Sequence, residues 1–121
     1  MDDDPGIRTQ IKWGIQGFEV ITAETRAEAM QQLELHQPPL VTLDLGLPPD
    51  ADGTSEGFAA LREILRKAPH TQVIIVSASE DIGNAEKARS SGAYEYYPKP
   101  LELSRLQQIL ERAYKDYQAA L

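Results

Sequence analysis

The sequence predicts an α/β domain: a parallel β-sheet with helices on both faces. Three observations carry this expectation. Helical and strand-like patterns alternate along the chain. Two of the β-rich runs, Leu40–Leu43 and Val73–Val76, are nearly continuously apolar, as strands buried on both faces are. Residues able to do chemistry recur at the carboxyl ends of those runs, where open α/β sheets build their sites.

Taken in order, Pro5–Gly14 reads as a first helix, with Pro5 near its first position. Phe18–Thr22 reads as a strand. Thr25–Leu35 reads as a helix opened by a capping box, Thr25 with Glu28, and carrying Ala29, Met30 and Leu33 at helical spacing. Leu40–Leu43 is the next strand, and the stretch from Gly46 to Glu56, with Pro48-Pro49 and Asp52-Gly53, is a loop. Phe58, Leu61, Ile64 and Leu65 mark a helix that ends at Ala68-Pro69. Val73–Val76 is a strand, Ala85–Ser91 a short helix stopped by Gly92, and Tyr94–Tyr97 an aromatic strand. A last helix spans about Glu102–Tyr117, with Leu103, Leu106, Ile109, Leu110 and Ala113 as its apolar stripe.

The chain has 121 residues, 41% of them hydrophobic, which suits one domain, residues 1–121, with one core. With no cysteine, disulfides, thiol catalysis and cysteine-based zinc sites are excluded. A formal net charge of −7 argues against direct nucleic-acid binding, which favours a basic patch. The absence of a long apolar run or secretory leader argues for a cytoplasmic protein without membrane contact. His36 and His70 have no partner at metal spacing and read as surface residues. Asp50-Ala51-Asp52-Gly53 lacks the full ligand spacing of a calcium loop and reads as a turn.

At the strand ends stand Asp44, Ser77 and Lys99, and Asp2-Asp3-Asp4 precedes the first helix. A carboxylate, a hydroxyl, an ammonium and an acidic cluster would meet at one edge of the sheet. Phosphoryl transfer needs such a set. Asp44 would be the nucleophile, a divalent cation would offset the crowded carboxylates, and Lys99 and Ser77 would hold phosphoryl oxygens. Each residue alone has an ordinary explanation: a turn cap, a solvated Lys-Pro turn, a frayed acidic terminus. Their order on successive strand ends is the stronger signal.

Four segments resemble the response regulator receiver domains of two-component signalling. Asp2-Asp3-Asp4-Pro5-Gly6-Ile7-Arg8 is similar to the acidic segment that opens those domains. Val41-Thr42-Leu43-Asp44-Leu45-Gly46-Leu47-Pro48 resembles the phosphoacceptor strand and loop. Val73-Ile74-Ile75-Val76-Ser77-Ala78 resembles the hydroxyl-bearing strand. Gly92-Ala93 with Tyr96-Tyr97-Pro98-Lys99-Pro100 resembles the closing lysine segment. The long loop Leu47–Gly57 is similar to that of receivers paired with a sigma-54-type activator module in bacteria with PEP-CTERM sorting systems.

The resemblance implies a flavodoxin-like receiver fold and a set of roles. Asp44 is the phosphoacceptor, Lys99 the lysine of the site and Ser77 the switch hydroxyl. Tyr96 is the switch aromatic, and the Lys99–Pro100 peptide is cis. Asp2 and Asp3 with Asp44 and the Gly46 carbonyl would hold Mg²⁺ or Mn²⁺. The implied partners are a sensor histidine kinase, a C-terminal effector domain such as a sigma-54 activator module, and a second copy in a homodimer. The chain is then no enzyme beyond catalysing its own phosphorylation and dephosphorylation. The face made by the helix near Ala85–Ser91, the Tyr94–Tyr97 strand and the last helix would carry the output.

Two alternatives stand beside this reading. One is a pseudo-receiver that binds without phosphorylation. The other is an aspartate-nucleophile phosphatase, which typically has a second Asp two residues after the nucleophile; here that position is Gly46. In one respect the chain departs from the receiver pattern. Receivers begin with an apolar strand, the middle of a sheet of order 2-1-3-4-5, and here only Met1 precedes Asp2. The first strand is expected to be absent, as from an N-terminally truncated receiver. The sheet then closes directly, the chain dimerises by strand exchange, or another segment fills the slot.

Overall fold

The computed structural model describes residues 1–2, 4–46, 54–78 and 82–120. Eight elements follow one another: α1 (Pro5–Gly14), α2 (Arg26–His36), β1 (Leu40–Leu43), α3 (Ser55–Lys67), β2 (Gln72–Ser77), α4 (Ile82–Ser90), β3 (Glu95–Pro98) and α5 (Leu103–Ala119). The strands form a parallel sheet of order β1-β2-β3.

Alternation along β2 divides the core. Val73 and Ile75 point to the side covered by α2 and α3, where Leu33, Leu43, Phe58, Leu61 and Ile64 are buried with them. Ile74 and Val76 point to the other side, with Ile15, Leu106, Leu110 and Ala113 from the α1 end and α5. A strand with helices on both faces must be apolar at consecutive positions, and Val73–Val76 is.

Local chemistry sets the helix ends. Asp4 caps α1 by accepting the Gly6 N–H at 2.8 Å, with Pro5 in the first turn. Thr25 caps α2 by accepting the Glu28 N–H at 3.2 Å, and Gln37 closes it at φ 47°. Gly57 sits in the first turn of α3 against the Leu45 backbone: a Cβ there would lie 2.3 Å from Leu45 Cα. Only glycine lets α3 start that close to the end of β1.

Most expected elements are present, with shifted ends. α4 starts at Ile82 rather than Ala85, and β3 runs Glu95–Pro98 rather than Tyr94–Tyr97. The expected strand at Phe18–Thr22 is a correction: these residues form no strand, and Ile21 is 39% exposed. The physical reason is a missing neighbour. A strand persists by pairing its backbone groups, and only Met1 and Asp2 lie between this segment and β1.

Those two residues do pair. The Met1 ammonium donates to the Thr42 carbonyl at 2.7 Å. The Asp44 N–H donates to the Met1 carbonyl at 2.9 Å, and the Asp2 N–H to that of Ala23 at 3.0 Å. The sheet therefore does not close directly, and no described segment fills the rest of the slot. Above Met1 a cavity of about 160 Å³ remains between Val20 and β1.

Candidate functional site

Asp44 follows β1 by one residue and is 8% exposed. Its backbone is held by Met1, and its Oδ1 accepts the Gly46 N–H at 3.1 Å. That short turn leaves Oδ2 facing Lys99, whose Nζ lies 3.4 Å away. Lys99 follows β3. Its backbone N–H donates to the Ser77 carbonyl at 2.8 Å, which joins the ends of β3 and β2. The Lys99–Pro100 peptide is cis. Asp2, 5% exposed, comes in from the other side. Its Oδ1 accepts the Asp4 N–H at 2.9 Å and its Oδ2 lies 3.2 Å from Lys99 Nζ.

One ammonium thus faces two carboxylates in a largely buried pocket. Burial raises the Asp2 pKa above its usual value. The Asp44 charge adds to this, while the Asp4 N–H and Lys99 oppose it. For Lys99, burial pulls the ammonium down, but Asp2 and Asp44 outweigh it and hold its pKa above the ordinary lysine value. The two carboxylates offer hard oxygen donors of the kind that suit a cation such as Mg²⁺, which takes one or two carboxylates and completes its shell with water and phosphate oxygens.

Of the residues expected from the sequence, the structure brings Asp2, Asp44 and Lys99 side by side. Ser77 ends β2, 3% exposed, next to the Lys99 backbone. Gly46 joins through its N–H. Tyr96 lies in the core on the α3 side, 7% exposed, so its ring is already turned inward. Asp3 and Asp50–Gly53 lie outside the described residues. His36 and His70 are exposed, as expected.

Sequence reasoning gave no role to three groups that build the site. Arg8 Nη1 donates to the Asp2 carbonyl at 2.9 Å and fixes the peptide that carries the carboxylate. The Met1 backbone holds Asp44. Gly57 holds Leu45. The glycine at the head of a helix after a long loop was a visible signal; the other two depend on contacts no local pattern encodes.

The profile of the response regulator receiver domain matches residues 1–111. The chain belongs to the response regulator receiver domain family. It is 34% identical to the chemotaxis protein CheY of Listeria monocytogenes, over 95% of each chain. It is 31% identical to the probable C4-dicarboxylate response regulator DctR of Priestia megaterium, across 100% of this chain and 52% of that protein. It is also 31% identical to the DNA-binding transcriptional regulator NtrC of Escherichia coli, across 98% of this chain and 24% of that protein. The receiver therefore spans about half of one such regulator and a quarter of the other.

Among solved structures, a receiver domain protein from Clostridium thermocellum superposes with a TM-score of 0.87 at 30% identity, covering 99% of this chain and 94% of that one. The receiver domain of NtrX from Brucella abortus does so with 0.82 at 33%, covering 93% and 92%. This receiver is a signalling module of the two-component type. Among the described residues, no helix is long and apolar enough to cross a membrane.

Proposed function

We propose that residues 1–121 act as one phosphoacceptor unit and that Asp44 takes a phosphoryl group from a sensor histidine kinase. The observation that carries this is the convergence of Asp44, Asp2 and Lys99 in one buried pocket, within 3.4 Å of the same ammonium. Asp44 Oδ2 attacks the phosphorus. The new O–P bond forms as the P–N bond to the donor imidazole breaks, and the imidazole keeps the electron pair and takes a proton. Lys99 then pairs with a phosphoryl oxygen instead of sharing its charge between two carboxylates. The Ser77 hydroxyl, at the adjacent strand end, donates to another. Asp2, Asp44 and the Gly46 carbonyl would hold Mg²⁺, with Asp3 as a further ligand; bound there, the ion offsets negative charge on the phosphoryl oxygens.

The phosphorylated state would be read out through Ser77 and Tyr96. Ser77 moving toward the phosphoryl group would favour the buried position of Tyr96, and with it one arrangement of the face made by α4, β3 and α5. That face would control an effector domain or a homodimer. The lengths of DctR and NtrC support a C-terminal effector, and the likeness to NtrC supports a sigma-54-type activator module.

The test is a small phosphodonor with Mg²⁺, read by intact mass. One Mg²⁺-dependent phosphoryl group, lost in Asp44→Asn, is the expected result. Equal incorporation by Asp44→Asn would overturn the assignment.

A further inference from the structure

Ion pairs tie α2 to α3 at both ends. At the starts of the two helices, Arg26 of α2 reaches two carboxylates of α3. Its Nη1 lies 2.9 Å from Glu56 Oε1 and its Nε 2.8 Å from Glu63 Oε1. At the other ends, Lys67 Nζ of α3 lies 2.8 Å from Glu34 Oε1 of α2. The two ties differ in burial. The Glu56 and Glu63 side chains are 18% and 19% exposed, whereas that of Glu34 is 67% exposed. A guanidinium donating from two nitrogens fixes direction as well as distance. A solvated lysine pair fixes little.

Local rules do not account for Arg26. It is the first residue of α2, where the helix dipole disfavours a cation. A residue placed against its local preference points to a tertiary role. The start of α3 needs such help. Thr54, its N-cap, makes no side-chain capping hydrogen bond, so the usual local clamp is missing. The first turn is instead held from two sides. The Gly57 N–H donates to the Leu45 carbonyl at 3.2 Å, and Arg26 grips Glu56, the residue before Gly57. Leu45 is the middle of the turn in which the Gly46 N–H donates to Asp44 Oδ1 at 3.1 Å. That turn leaves Asp44 Oδ2 facing Lys99.

We propose that Arg26 is a positioning residue for phosphoryl transfer: it seats the first turn of α3 on Leu45 and so holds the Asp44–Gly46 turn with Oδ2 free to attack. The inference rests on the reading of Asp44 as the phosphoacceptor. It divides the two ties by role. The Arg26 tie acts on the site, and the Lys67–Glu34 tie, at the far ends of the same helices, does not.

The test compares Arg26→Met, Arg26→Lys and Glu34→Gln with the parent chain. Two readings are taken: amide hydrogen exchange at Gly46 and Gly57, and the rate of phosphoryl incorporation from a small phosphodonor at saturating Mg²⁺. Arg26→Met should speed exchange at both glycines by about tenfold beyond any change at Ile75 of β2, which reports global opening. It should slow incorporation by about tenfold, as a small misplacement of a nucleophile does. Arg26→Lys should recover part of both, because one ammonium cannot hold two carboxylates in a fixed fork. Glu34→Gln should leave both at the parent values. An unchanged incorporation rate in Arg26→Met would overturn the proposal. So would an equal loss in Glu34→Gln, which would make the effect a general one of α2–α3 packing. A parent chain that takes no phosphoryl group would instead sink the phosphoacceptor reading, and exchange at Gly46 and Gly57 would still decide whether Arg26 seats the turn.

Discussion

The two halves of the sheet are held in different ways. On the β2–β3 side, β2 is paired along both edges and helices lie on both faces; Val73, Ile74 and Ile75 have no solvent exposure. On the Met1 side, two residues provide all the described cross-links between Ala23 and β1. The candidate site straddles this boundary. Asp44, Ser77 and Lys99 come from the paired half, whereas Asp2 comes from the open one. The nucleophile and its ammonium therefore rest on a rigid frame, and the carboxylate best placed to help hold a cation rests on a short tether. Chemistry and metal affinity should accordingly respond to different substitutions.

Core truncation is the strongest way to test the contrast. Ile75→Ala, in the paired half, should cost about 3 kcal/mol in denaturant unfolding, as for a fully buried aliphatic that leaves a cavity. A loss under about 1 kcal/mol would show that β2 is less tightly packed than its neighbours indicate.

An effect of intermediate size should appear with pH. Burial lowers the Met1 amine from its usual 8.0 to about 6. Between those values the unfolded chain binds more protons than the folded one. Stability should therefore rise with pH across the window from about 6 to 8, by up to about 2 kcal/mol. It should be lost again as pH falls through the folded value. Acetylation of Met1 removes the titration, and a chain so modified that kept the slope would assign it to another group.

Val20→Ala should have the smallest effect, about 1 kcal/mol or less, because Val20 is partly buried beside an open cavity.

Much of this was legible in the sequence. The apolar run Val73–Val76 encodes a strand with covered faces, and Thr25 with Glu28 encodes a helix start, because each signal is local and physical. The order of Asp44, Ser77 and Lys99 on strand ends was legible for the same reason: a parallel sheet brings those ends to one edge. Phe18–Thr22 was misread because β propensity describes how well a residue fits a sheet, and here the neighbouring strand was lacking. Arg8 and the Met1 backbone escaped notice because their partners, Asp2 and Asp44, are reached by contacts that no spacing rule specifies.

By itself, the sequence determined the α/β class, the parallel sheet with helices on both faces, and the identity of the residues at its carboxyl edge. These follow from periodicity and residue type, which act over a few positions. Only the tertiary structure decided that Phe18–Thr22 forms no strand, that Lys99 is shared between Asp2 and Asp44, and that a slot remains beside β1. Each of those depends on whether a distant segment is present to supply a hydrogen bond, a charge or an apolar surface.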